Sequence, residues 1–264
     1  MRILIQLVAF LVLISITGSA DAENSNGDPK ALAVLIISDP WASVIGSDSP
    51  TFALYEDGTV IYLQEDGAGV QCLSTKLTMV ELEQLLDQIS PQQLESLDRY
   101  YEISRATDQP TSLVTIRMPG GVYKRIWVYG FPDSPLADTS QLPNGLSRLL
   151  HVMKNYNHPR ATPWLPDFLE VMVWPWDHTK GRGLAWPEAW PGLQDPRTIK
   201  RRQVHSIYIE KSRASEVFNF LAQRKAEQPL IIDKKRWTVS IRFPFPQEAL
   251  WMPRAKETHE PARK

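Results

Sequence analysis

Apolar residues recur along this chain at two spacings, and each spacing predicts a different element. Residues 32–37 form a short β-branched apolar run, the pattern of a strand buried on both faces. Residues 52–55 and 60–63 are apolar and aromatic, and flank Glu56-Asp57-Gly58-Thr59. Asp-Gly tolerates the positive φ angles of a tight turn, so the two runs read as a hairpin. Residues 112–118 and 122–129 form another, joined through Pro119-Gly120-Gly121.

Helical spacing follows the first hairpin. Thr78 and Glu81 make a capping box, after which Leu82, Leu85, Leu86 and Ile89 repeat on one face. Ser90 and Pro91 start a second, shorter helix carrying Leu94 and Leu97. Leu146, Leu149, Leu150 and Met153 mark a third, which stops near Asn157-His158-Pro159 because proline cannot continue it.

The pattern then repeats in outline. Residues 168–174 and 205–209 read as strands, and Ser212 as the cap of a helix with Ala214, Val217, Phe218 and Leu221 on its apolar face. Residues 230–232 and 237–243 make a last hairpin, whose second strand alternates apolar and polar and predicts one buried and one wet face. Residues 175–202 lack periodicity, so they hold either a functional loop or elements without a sequence signature. The fold class expected is α+β: antiparallel hairpins packed by a few short amphipathic helices. Helix, strand, turn, strand occurs twice, which suggests two halves of similar architecture, 31–158 and 159–253.

The ends read differently. Met1-Arg2, an apolar stretch to Ile14 and small residues at Ala20 and Ala22 match a secretory signal, with cleavage expected after Ala22. The stretch ends too early for a helix of about 20 apolar residues, so no membrane span is expected after cleavage. Residues 23–30 read as a flexible leader and 254–264 as a charged tail. About 240 residues then remain, enough for one large or two small domains.

Composition narrows the classes. A net charge of −1 removes the electrostatic case for nucleic acid, which needs a surplus of Lys and Arg. With Cys72 alone there is no intrachain disulfide, so packing must supply stability.

The run Leu54-Tyr55-Glu56-Asp57-Gly58-Thr59-Val60-Ile61, followed by Leu77-Thr78 and the leucines 82–86, resembles a pattern of exported bacterial proteins to which no activity is attached. The resemblance covers residues 52–89. It implies a bacterial envelope protein, periplasmic or secreted, and brings no cofactor or catalytic residue with it.

Catalytic motifs are weak. No Gly-x-Ser-x-Gly occurs, and Ser74 stands at the wrong spacing for Ser-x-x-Lys. Cys72 is read as a core residue, with Val70 two positions away on the same strand face; His151, His178 and His205 are the histidines that could otherwise activate it. Asp177-His178 lacks a third ligand, Glu65-Asp66 sits on turn sequence, and Arg197 with Lys200-Arg201-Arg202 reads as a solvated loop. No cofactor or metal is expected.

Residues 163–191 depart most from an ordinary globular pattern. Trp174, Trp176, Trp186 and Trp190 fall among prolines there and are the candidate ligand or partner contacts. Flat indoles beside stiff prolines can stack on a glycan or grip an extended peptide. They can equally cover a sheet face, the outcome that the average burial of Trp favours. The expectation is a non-enzymatic exported binding or interaction protein, whose partner is a glycan, a peptide or an envelope protein. The alternative is an exported hydrolase with a site assembled from distant residues.

Overall fold

A computed structural model describes residues 29–66, 69–89, 94–176, 182–225 and 228–253. The proposed export segment, Ser90 and Pro91 of the second helix, Asp177-His178 and the charged tail lie outside the described residues.

The protein is α+β, with two mostly antiparallel sheets. The first has eight strands in the order β5-β7-β6-β1-β2-β3-β4-β8: β1 (Ala31–Ser38), β2 (Phe52–Tyr55), β3 (Thr59–Asp66), β4 (Gly69–Lys76), β5 (Tyr100–Glu102), β6 (Thr111–Arg117), β7 (Tyr123–Tyr129) and β8 (Thr162–Pro163). The second has six in the order β10-β13-β14-β9-β12-β11: β9 (Phe168–Pro175), β10 (Leu184–Ala185), β11 (Ile199–Arg201), β12 (Val204–Glu210), β13 (Leu230–Ile232) and β14 (Lys235–Arg242). In each sheet a hairpin follows a helix, β6-β7 after α1 (Met79–Ile89) and β13-β14 after α3 (Ala214–Ala222).

The first hairpin turns at the expected residues by another geometry. Gly58 N donates to Tyr55 O at 3.0 Å, and Gly58 alone of the Asp-Gly pair takes a positive φ, 82°. This is a three-residue loop closed by a left-handed glycine, not a two-residue turn. A Cβ at Gly58 would also stand 3.1 Å from Leu77 O. The capping box is formed: Thr78 N donates to Glu81 Oε2 at 2.8 Å and Glu81 N to Thr78 Oγ1 at 3.3 Å. With its N-terminus fixed, α1 buries Leu82, Leu85 and Ile89. The helix α2 (Asn144–Lys154) buries Leu146, Leu149, Leu150 and Met153, the four residues its spacing picked out. Both helices cover the front of the first sheet.

The rear of that sheet is also covered, which explains why β1 and β2 are apolar on both faces. Ala53, Tyr55, Ile61 and Cys72 meet Phe245 and Trp251 from the end of the chain. The short helix α4 (Glu248–Trp251) carries Trp251 there with no exposure, its indole Nε1 donating to Pro246 O at 3.1 Å. Cys72 is buried as expected, but Val70 is 61% exposed, because β4 has run past the sheet's cover at that point.

The second half departs from its sequence pattern in four places. Residues 175–202 contain β10 and β11. Lys200 and Arg201 sit on β11, an edge strand and not a loop, where charge discourages pairing with another chain. Ser212 does not cap α3; residues 211–213 form a 3-10 turn that runs into it without a side-chain cap. On α3, Ala214 and Val217 are buried, Phe218 is exposed, and Phe220 takes its place against the core, because the 3-10 entry rotates the helix face.

The fourth departure is the polar face of β14. Thr238 and Arg242 were expected to be wet and are 5% exposed. The segment between β1 and β2 lies over them: Arg242 Nε donates to Asp48 O at 3.2 Å, and Phe243 N to Ser49 Oγ at 2.7 Å. Burial lowers the pKa of a guanidinium, yet the carboxylates of Glu248 and Glu170 outweigh it and the pKa of Arg242 is raised. Among the described residues no helix is long and apolar enough to cross a membrane.

Candidate functional site

The four tryptophans do not form one strip. Trp186 is 8% exposed, donates its indole N–H to Pro191 O at 2.9 Å, and meets Trp190 edge to face at 5.1 Å between centroids. Phe220 of α3 closes the trio, 5.8 Å from Trp186 and 5.2 Å from Trp190. The repeated Trp-Pro is thus an apolar lid on the second core, with prolines stiffening a loop that has little regular structure. Trp190 keeps one edge toward an open depression shared with Arg197 and Arg213. Trp174 alternates with Val173 on β9 and so points away from that core. Trp176 lines a small cleft with Ser43 and Thr238.

The aromatic groove lies elsewhere, between the two halves. The chain leaves β8 as Trp164-Leu165-Pro166-Asp167 and enters β9 at Phe168. Trp164 N donates to Cys72 O at 2.8 Å, which holds this crossing against β4. After β14 the chain returns as Pro244-Phe245-Pro246. Trp164 packs edge to face on Phe245 at 5.3 Å. These two proline-flanked segments, with Tyr55 and Tyr208, enclose an opening of about 530 Å³.

Its floor is rigid. Tyr55 is buried and its hydroxyl donates to Pro246 O at 3.2 Å; burial raises its pKa, so it stays a neutral phenol. Tyr208 donates to Glu170 Oε1 at 3.4 Å. The rim is open, with Leu165 at 36% and Phe168 at 40% exposure. Lys211 Nζ pairs with Asp167 Oδ1 at 2.6 Å across the rim. The arrangement offers fixed aromatic faces, stiff proline walls and one exposed pair of charges. None of these residues is among the four candidate tryptophans: Trp164, Leu165, Asp167 and Phe168 lie at the start of the Trp-rich segment, and Tyr55, Tyr208, Lys211 and Phe245 lie outside it. A usable clue was the alternation of aromatic with proline in residues 243–246 as well as in 163–191.

The residues considered for catalysis are dispersed. Cys72 faces the rear cluster, and burial pushes its thiol up to about 12. His151 is on α2, over the opposite face of the sheet. His205 is on β12 against Trp237 at 5.2 Å, and burial, then Lys200, lowers its pKa. Ser74 is in β4 beside Thr162 of β8. Among the described residues no group of three or more His, Cys, Asp or Glu side chains could hold a metal ion.

One hydroxyl, imidazole and carboxylate do meet, unanticipated from sequence. Thr75 Oγ1 lies 3.1 Å from His158 Nδ1, and His158 Nε2 lies 3.5 Å from Glu81 Oε1. The Arg160 amide also donates to His158 Nδ1, at 3.2 Å. Thr75 is 6% exposed. A base already holding a backbone amide, beside a buried hydroxyl, clasps β4, α1 and the chain after α2 together.

A domain of unknown function (DUF6438) matches residues 48–155, less than half of the chain. The match runs from the segment covering Arg242 to Asn155, the residue that caps α2, and so takes in most of the first half and none of the second sheet. No curated protein and no solved structure matches the chain.

Proposed function

We propose that this chain is an exported binding protein of the bacterial envelope, and that the groove between its halves grips an extended peptide carrying proline or aromatic residues. The observation that carries the reading is the pairing of Trp164 and Phe245 on proline-flanked segments, opposite the exposed rim of Leu165 and Phe168. Aromatic-lined grooves recognise the polyproline conformation because the peptide arrives already ordered and loses little entropy. The apolar rim favours a peptide over a glycan, whose hydroxyls require several buried polar partners. The resemblance of residues 52–89 to exported bacterial proteins and the N-terminal pattern support the location.

Titration of the protein with a proline-rich peptide containing Tyr or Phe tests the reading through tryptophan fluorescence. The expected result is saturable quenching that Trp164→Ala and Phe168→Ala both abolish. A response to chito-oligosaccharide and none to the peptide would replace peptide by glycan. No response to either would remove the groove as the site.

A hydrolase is the second reading, and the specific observation for it is the contact of Thr75, His158 and Glu81. Hydrolysis of an ester reporter that Thr75→Val and His158→Gln both eliminate, with the melting temperature kept, would establish it.

A further inference from the structure

On the opposite face of the first sheet from the groove, the end of α2 leaves a partly open cavity of about 150 Å³. Leu35 and Ile37 of β1 line it together with Leu142 and Leu150. An apolar cavity of about 150 Å³ takes a body the size of benzene. A branched aliphatic side chain or one phenyl ring therefore fits, and an indole does not.

The rest of the lining is polar, with Thr139, Ser147, His151 and Asn155 beside Asp133 and Lys154. Lys154 Nζ forms an ion pair with Asp133 and lies 3.8 Å from the centroid of the Phe131 ring. Asp133 is 61% exposed and Lys154 26%, so each charge has room to exchange its partner. Ser112, 2% exposed on β6, also lines it. One cation and one anion beside the apolar wall of Leu35, Ile37, Leu142 and Leu150 match a ligand with the same three parts.

We propose that this cavity binds a free hydrophobic α-amino acid. Its carboxylate takes Lys154, its ammonium takes Asp133, and its side chain occupies the space over Leu35 and Ile37. Charge-assisted contacts to both ends orient the ligand, and replacing the internal ion pair by two ligand pairs leaves no charge unpartnered. The site is independent of the peptide groove and shares no residue with it.

Calorimetric and melting titrations of the full chain with L-leucine, L-phenylalanine and L-tryptophan at millimolar concentration test it. Leucine and phenylalanine are expected to bind and to raise the melting temperature, as any ligand of the folded state does, and tryptophan to do neither. L-Leucinamide stands in for the first residue of a peptide and N-acetyl-L-leucine for the last; each should bind at least about tenfold more weakly, a loss of about 1.4 kcal/mol. Asp133→Asn and Lys154→Met should each weaken leucine binding by a similar factor. Asp133 is exposed and such pairs contribute little to stability, so Asp133→Asn should melt with the unliganded parent. The proposal is overturned if leucine has no effect, if either blocked form binds as well as leucine, or if the variants respond like the parent.

Discussion

Arg242 Nη1 lies 2.9 Å from Glu170 Oε2, and both side chains are almost wholly withdrawn from solvent. They come from facing positions of β14 and β9, and Glu248 adds two contacts of 2.8 Å from α4. Glu248 Oε1 also accepts from Phe245 N at 2.8 Å, which sets the entry to the last helix. One guanidinium thus joins the second sheet, the segment between β1 and β2, and the end of the chain.

Removing that guanidinium leaves Glu170 buried without its cation, held by the Tyr208 hydroxyl at 3.4 Å. Arg242→Met is expected to cost about 3–5 kcal/mol, the range for breaking a buried ion pair from one side. Arg242→Met combined with Glu170→Leu should recover a large part of the loss. Urea unfolding of the two variants measures both values. A single variant as stable as the parent would show that the pair does not join these elements.

Glu81 makes acid stability depend on pH in a definite window. Hydrogen bonds from Thr78, first its amide and then its hydroxyl, followed by the charge of Arg160, lower its pKa to about 2. A carboxyl depressed by folding stabilises fully above its unfolded pKa of about 4.3, and that contribution is lost as pH falls to the folded value. The parent should exceed Glu81→Gln in urea midpoint at neutral pH, and the two midpoints should converge between pH 4 and pH 2. A constant difference across that window would contradict the assignment.

Trp186 and Phe168 should behave oppositely, with Trp164 between them. Trp186→Ala empties a packed site and is expected to cost about 3–5 kcal/mol. Phe168→Ala removes an exposed rim residue and should leave stability within about 0.5 kcal/mol while abolishing peptide binding. Trp164→Ala removes both a packing contact with Phe245 and a groove wall, so it should lose some stability and all binding. Thermal melts alongside the fluorescence titration separate the three.

Cys72 should resist alkylation in the native protein, since its thiol is buried and its pKa is pushed up to about 12. Cys72→Ser should cost about 1–3 kcal/mol by placing a hydroxyl in the rear cluster. Fast labelling without unfolding would refute the core placement.

The mature N-terminus is expected at Glu23, which mass spectrometry of the protein from its native source determines. A chain beginning at Met1 in the membrane fraction would remove the export reading.

Much of the first half was legible because each local pattern agreed with its surroundings. Thr78 and Glu81 cap α1, and Leu146, Leu149, Leu150 and Met153 face the sheet, as their spacing requires. The second half was less so, because contacts distant in sequence override local preference there. Arg242 looks solvent-facing in an alternating strand, yet Asp48, 194 positions away, covers it. Val70 looks like a partner of Cys72 but lies beyond the cover that Phe245 and Trp251 provide. The groove was illegible for the same reason: Tyr55, Trp164, Tyr208 and Phe245 are spread over four segments that only the docking of the halves brings together.

Trp251 also fixes when the fold can be finished. A nascent chain emerges N-terminus first, and its leading domain generally folds before the rest is made. Here the strands behind which Trp251 sits are complete by residue 129, while their cover arrives with the last described helix. Until then Ala53, Tyr55, Ile61 and Cys72 lack the cover of Phe245 and Trp251. A chain cut before Phe243 should therefore display a sticky, protease-sensitive sheet, and one extended to Pro253 should be closed.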